Sequence, residues 1–435
     1  MRVTEAVPDV PDTLLDRLGR YQNTRGANLG GFLADGSLLL TTRFGETAQA
    51  HRVKAPLGMR EQLTFFREPV SGVVAAPPGA GNGFVYGKDV GGSEFWQLYH
   101  FDLKTRAVTL LTDGKRSRNE APIWARDGLQ LAFASTARNG TDADVWVRDM
   151  KTGASRAVVT SGGTWSAADF SPDGKRLLVL KYVSINESYP GEVDLATGEV
   201  RMFPVDGGKA AFTAFRYAPD GRSVYYVSDE GRDFLTLWHH DPAGGAPVAL
   251  SGGIPWDVTA LAVAPTGKVL AYVTNEDGIS RLHLLKVPSH AEVKLPAVPI
   301  GVIQAISFSP DGTRLALSLN GATSPSDLFV LDLKRGKLER WTASEVGGLD
   351  SAKFRAPTLV RYPTFDAVGG APRTIPAFLY RPEGPGPFPV VVSIHGGPEA
   401  QALPLFSPVI QFLMAELKVA VLVPNVRGSS GYGKQ

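Results

Sequence analysis

The sequence predicts a mostly β chain, a seven-bladed β-propeller followed by the first part of a doubly wound α/β sheet. Two observations carry this expectation. One phrase recurs along the chain at a nearly fixed spacing, and after about residue 350 it gives way to a buried strand, a glycine-rich loop, a helix and another buried strand. With 435 residues the chain is too long for one core, so two domains of unequal size are expected.

The recurring phrase reads LADGSLLLTT from Leu33, ARDGLQLAFAS from Ala125, SPDGKRLLVLKY from Ser171, APDGRSVYYVSD from Ala218, APTGKVLAYVTN from Ala264 and SPDGTRLALSLN from Ser309. Its turn glycines, Gly36, Gly128, Gly174, Gly221, Gly267 and Gly312, are spaced by 92, 46, 47, 46 and 45 residues. The first gap is double, and near position 82 the stretch PPGAGNGFVYGKD supplies the missing copy, which makes seven units. Asp-Gly between extended segments is a hairpin signal, because glycine tolerates positive φ and Asp bonds its own backbone. Arg222, Val224 and Tyr226 then alternate with Ser223, Tyr225 and Val227, and a further strand and turn follow, as in DLFVLDLKRGKLERWT over 327–342. Four short strands per unit form a blade that buries its faces only against neighbouring blades. Residues 27–33 hold the first strand of blade one, and the stretch up to 342 completes blade seven. No strand is then exchanged between the chain ends, and the ring is free to open between its first and last blades.

Charge and composition exclude several classes. Forty-five basic residues against forty-three acidic ones give a net charge of +2, with no long run of one sign, so neither nucleic acid nor a membrane surface is an expected partner. Lys115, Arg116 and Arg118, beside Glu120, read as a solvated turn. The absence of cysteine excludes disulfides, thiolate metal sites and a cysteine nucleophile. Glu5, Asp9, Asp12 and Asp16 interrupt the first twenty residues, unlike a signal peptide, and apolar runs such as VAVLVP at 419–424 are of strand length. The expected location is cytoplasmic.

Three local features take structural readings. GAGNG at 79–83 falls on the repeat phase with no helix after it, so it is a turn, not a phosphate loop. His239 and His240 are adjacent in a strand-like segment and point to opposite faces, which argues against a shared metal. No cofactor and no metal are expected. Trp146, Trp238 and Trp341 pack between sheets.

Beyond residue 350, TIPAFLYRP at 374–382 alternates like an antiparallel strand, while PVVVSI at 389–394 is a continuous apolar run suited to a central strand covered on both faces. Phe406, Val409, Ile410, Leu413 and Leu417 fall at helical spacing, and 419–423 is a further buried strand. Between them lies His395-Gly396-Gly397-Pro398. In α/β hydrolases a glycine-rich segment in this place turns a backbone N–H toward the developing oxyanion, where a side chain would obstruct the substrate carbonyl. Residues 1–26 are expected to pack with this part, residues 27–345 to form the propeller, and 350–435 to form an incomplete α/β-hydrolase domain.

Seven SPDG-type repeats, a strand leading into HGGP, and then PNVRGSSGYG resemble the prolyl oligopeptidase family of serine peptidases across essentially the whole chain. HGGP is closer to its acylaminoacyl-peptidase and dipeptidyl-peptidase-like branch. The resemblance implies a propeller that admits short peptides, through itself or a side opening, to a Ser-His-Asp triad. It implies an oxyanion-hole N–H from Gly397, with His395, Gly396, Pro398 and Arg427 in support. Asn425, Gly428, Ser429, Gly431, Tyr432 and Gly433 match the motif that shapes the active-site side of the sheet. The elbow G-x-S-x-G is missing, since Gly428-Ser429-Ser430-Gly431-Tyr432 ends in Tyr, so Ser430 is not expected to be a nucleophile. The chain is therefore expected to stop before its triad and to be inactive alone, as part of a parent hydrolase whose oligomeric state the sequence leaves open. The competing reading is a non-catalytic TolB-like propeller binding peptides or a protein partner, a role for which the tail after blade seven has no use.

Overall fold

The computed structural model describes residues 5–6, 8–205, 208–368, 370–397 and 399–434. It divides into a larger compact unit, Ala27–Leu319, Asp327–Thr342 and Ser430–Gln435, and a smaller one, Met1–Gly26, Asn320–Ser326 and Ala343–Ser429.

The larger unit contains seven antiparallel sheets over 28–62, 71–110, 119–159, 164–202, 212–249, 257–286 and 302–340, each built from consecutive strands. Six have four strands and the sixth has three. Where its fourth strand is expected, the described residues show a single bridge, Leu285 to Glu292. Pro288, Pro296 and Pro299 in that stretch bring no N–H to a ladder.

The Asp-Gly turns form as their chemistry dictates. Gly36 has φ +80° and Gly312 φ +66°, and the side chains of Asp35, Asp173 and Asp311 accept the amides two residues on at 3.0, 3.1 and 3.0 Å. A second reason for glycine is a close approach between sheets. A Cβ on Gly267 would lie 2.4 Å from the Pro219 ring, and one on Gly312 2.7 Å from Thr266 Oγ1, each on the turn of the preceding sheet. Gly36 meets the seventh sheet in the same way, with Arg314 Nη2 donating to its carbonyl at 3.3 Å. Gly198, at φ +77°, has nothing within 4 Å of its would-be Cβ. Gly198→Ala is expected to cost about 1 kcal/mol from backbone strain alone, and Gly267→Ala about 3 kcal/mol once the clash is added. Equal losses in urea unfolding would deny the stacked-turn contact.

The alternation in each second strand serves two neighbours. Val224–Ser228 is buried throughout, with Val224 and Tyr226 packing toward the fourth sheet and Tyr225 and Val227 toward the sixth. Each consecutive pair of sheets has its own apolar core. The first and seventh sheets share one too, in which Phe32, Leu38 and Leu40 pack with Ala316, Leu328 and Trp341. Among the described strands none is exchanged between these two sheets. The arrangement fits a propeller. Trp146, Trp238 and Trp341 each pack against an inter-sheet core.

Five of the seven histidines, His51, His100, His239, His283 and His290, have pKa values pulled down by burial. His239 lies 4.8 Å from the Tyr225 ring and 4.9 Å from that of His290. The unfolded chain binds protons more readily at these positions, so their contribution to stability is present above about pH 6.5, the ordinary histidine value, and is lost as pH falls below it. Stability in urea melts is expected to drop between pH 7.5 and 5.5, and His283→Gln to flatten that drop.

In the smaller unit, the strands Thr358–Val368, Ala371–Tyr380, Ala420–Pro424 and Val390–Val392 form one sheet in that spatial order. The first two junctions are antiparallel and the last is parallel. The apolar run at 389–394 thus sits at the sheet edge instead of its centre, and Val390, Val391, Val392 and Ile394 are 57%, 44%, 55% and 67% exposed. No described strand or helix covers it, although its composition suits burial on both faces.

Ser407 caps the helix Pro408–Glu416, with Pro408 in its first turn. Here too the burial differs from the expected spacing, since Gln411, Phe412 and Met414 are buried while Val409 and Leu417 are exposed. The reason lies on its neighbours. Gln411 Nε2 donates to the carbonyls of Ala322 and Arg355, and Phe412 meets Tyr21 of the helix Asp12–Gln22 edge-on at 5.5 Å. Glu416 joins these helices further, accepting from Arg17 at 2.9 Å and from the Tyr21 hydroxyl at 3.1 Å. Thr24–Arg25 pairs with Glu345–Val346 in a two-stranded clasp. No described helix is long and apolar enough to cross a membrane.

Candidate active site

The candidate site begins where the parallel pair ends. Val390, Val391 and Val392 align with Ala420, Val421 and Leu422, and the Ser393 amide extends the ladder to the Leu422 carbonyl at 2.9 Å. Parallel strands place their carboxyl ends side by side, so the loops after Val392 and after Pro424 emerge together. His395, Gly396 and Gly397 lie on the first of these loops and Asn425 to Ser429 on the second.

Two side chains tie the loops. Asn425, 2% exposed, accepts the Ala402 amide at 2.7 Å and donates to the Ala402 carbonyl at 3.1 Å. His395 Nδ1 lies 3.0 Å from the Gly396 carbonyl, and its Nε2 lies 2.8 Å from Ser429 Oγ. A carbonyl only accepts, so in the neutral imidazole Nδ1 carries the proton and Nε2 accepts from the Ser429 hydroxyl. Ser429 is 8% exposed. This contact joins residues 34 positions apart, and no local pattern announces it.

Gly397 has φ +135°, and a Cβ there would sit 2.6 Å from the Glu399 amide. Both facts require glycine. No described residue accepts a hydrogen bond from its amide. An exposed N–H on a loop with no room for a side chain can donate to a developing oxyanion. Pro398 lies outside the described residues.

Arg427 faces another way. It donates to Asp366 and to Thr364, both at 2.9 Å, and lies 4.5 Å over the Phe365 ring. It braces the hairpin 358–380 and makes no described contact with His395. Beneath His395, a cleft of about 180 Å³ is lined by Phe378, Tyr380, Leu403 and Phe406. Burial pushes the Tyr380 hydroxyl up to about 12, so it stays a neutral donor at physiological pH. Among the described residues, no three His, Asp or Glu side chains gather as metal ligands.

No family model matches the chain. Dipeptidyl aminopeptidase BIII of Pseudoxanthomonas mexicana is 23% identical to it over 379 residues. A prolyl endopeptidase structure superposes over 97% of the chain with a TM-score of 0.79 at 16% identity. The chain resembles the prolyl oligopeptidase family of serine peptidases. A puromycin hydrolase agrees, with a TM-score of 0.78 over 96% of the chain at 18% identity. The chain covers 52% of the aminopeptidase, 64% of the endopeptidase and 68% of the puromycin hydrolase.

Proposed function

We propose that the chain supplies the seven-bladed propeller and the oxyanion side of the catalytic unit of a serine peptidase acting on short peptides, of acylaminoacyl-, dipeptidyl- or oligopeptidase type. The observation that carries this reading is Gly397, whose positive φ and crowded Cβ position sit on the loop that follows the parallel strand Val390–Val392. The similarity to peptidases supports it. In this reading the serine attacks the peptide carbonyl, the Gly397 N–H stabilises the tetrahedral oxyanion, and water releases the acyl group. The triad lies outside residues 1–435, and the α/β-hydrolase sheet continues beyond its edge strand.

One contact favours a second reading, in which Ser429 is the nucleophile and His395 its base, at 2.8 Å. Against it stand the burial of Ser429 and the lack of any described carboxylate bonded to His395, whose second nitrogen is held by Gly396. A single experiment separates the two. A fluorophosphonate probe applied to the full-length protein, with the labelled peptide mapped, is expected to mark no serine within residues 1–435. Labelling at Ser429 would replace the first reading with the second.

A further inference from the structure

Among the described residues, the second and third sheets meet across the sparsest of the seven cores, with five buried residues, Val85, Leu98, Leu111, Leu131 and Phe133, against thirteen between the third and fourth. Beside that core is a cleft of about 270 Å³. The strand Asp144–Asp149 forms one wall. Its Val145 and Val147 pack toward the fourth sheet, so strand alternation turns Trp146 and Arg148 the other way, into the cleft.

Both side chains bring a donor with no acceptor. The indole Nε1–H of Trp146 and the Nε–H of Arg148 are buried, and neither has a hydrogen-bond partner among the described residues. Arg148 Nη1 donates to the Leu111 carbonyl at 3.1 Å and to Ser155 Oγ at 3.2 Å, and both are neutral. Asp113 also lines the cleft, but its Oδ1 accepts from the Lys115 amide and the Ser117 hydroxyl. The Arg148 side chain is half-buried, and its guanidinium stays charged with no carboxylate bonded to it among the described residues. Partial burial lowers its pKa. Leu111 and Phe133 give the cleft an apolar floor.

We propose that this cleft binds a small carboxylate with an apolar body, the carboxylate taken by Arg148 Nε–H and Trp146 Nε1–H and the body lying on Leu111 and Phe133. One guanidinium matches one negative charge, which favours a carboxylate over a phosphate dianion. Asn119 and Ser135, also on the lining, are bonded to each other at 2.6 Å. The volume is below the range of about 300–1,000 Å³ usual for drug-sized ligands, so the ligand is small.

The test uses the full-length protein with benzoate as probe, and with benzamide and benzylamine as its neutral and cationic counterparts, followed by titration calorimetry. Benzoate is expected to bind saturably, and both counterparts at least about tenfold more weakly. R148M, which keeps the stem and removes the charge, is expected to weaken benzoate at least about tenfold, and W146F, which keeps the ring bulk and removes the N–H, by roughly three- to tenfold. Benzamide binding as tightly as benzoate overturns the proposal, as does an unchanged affinity in R148M. The absence of saturable benzoate binding up to about 10 mM also overturns it. Should R148M not fold, W146F decides alone, and benzoate affinity equal to the parent's refutes the site.

Discussion

If the proposed peptidase function holds, replacing Gly397 by alanine is expected to lower kcat of the full-length protein on a short peptide by at least about a hundredfold, with KM little changed. The added methyl group cannot occupy the loop as it stands, because it would lie 2.6 Å from the Glu399 amide and 3.1 Å from that of Ala400. The residue also adopts φ +135°, which an alanine rarely tolerates. The loop must therefore rotate, and the Gly397 N–H leaves the position proposed to face the oxyanion. A donor that acts mainly in the transition state affects kcat before KM, and losing one such donor costs about 3–4 kcal/mol. Gly384 is the control in the same unit. Its φ is +108°, but nothing lies within 4 Å of its would-be Cβ, so Gly384→Ala is expected to keep activity. A Gly397→Ala enzyme with parental kcat would remove the oxyanion assignment.

The second large effect concerns Val391, and its sign depends on what the chain is attached to. Residues 1–435 produced alone leave Val390, Val391, Val392 and Ile394 on an open sheet edge, a template for intermolecular pairing. That chain is expected to aggregate, and Val391→Lys to increase its soluble monomer fraction in size-exclusion chromatography with light scattering. In the full-length protein, where the proposed sheet continues past this strand, the same lysine would be buried without a partner and is expected to cost about 3 kcal/mol or more in urea unfolding. Val391→Lys harmless in both contexts would mean that the strand remains an edge throughout.

The parts legible in the sequence are those whose physics is local. An Asp-Gly turn is fixed by a carboxylate bonding two residues on and by a glycine at positive φ, so Asp311 and Gly312 announce their hairpin without help from the rest of the chain. The weak sixth sheet was also within reach, since Pro288, Pro296 and Pro299 stand where its fourth strand would run. The contacts of the candidate site were not. Asn425 reaches Ala402 and Ser429 reaches His395 because Ala420–Pro424 lies between Ala371–Tyr380 and Val390–Val392, an order that no spacing encodes. Nor does a run of three valines show whether it stands at the centre or the edge of a sheet. Composition indicates the environment that suits a strand, while its neighbours decide the environment it has.

The seven-sheet unit shares no strand between sheets, and the joint between its last sheet and its first uses a turn contact and an apolar core like the other joints. Covalent order along the chain is then nearly independent of spatial order around the unit. In a closed ring of such sheets, the joint that parts most easily would be set by packing and not by position along the chain, and the cores here differ from five buried residues to thirteen.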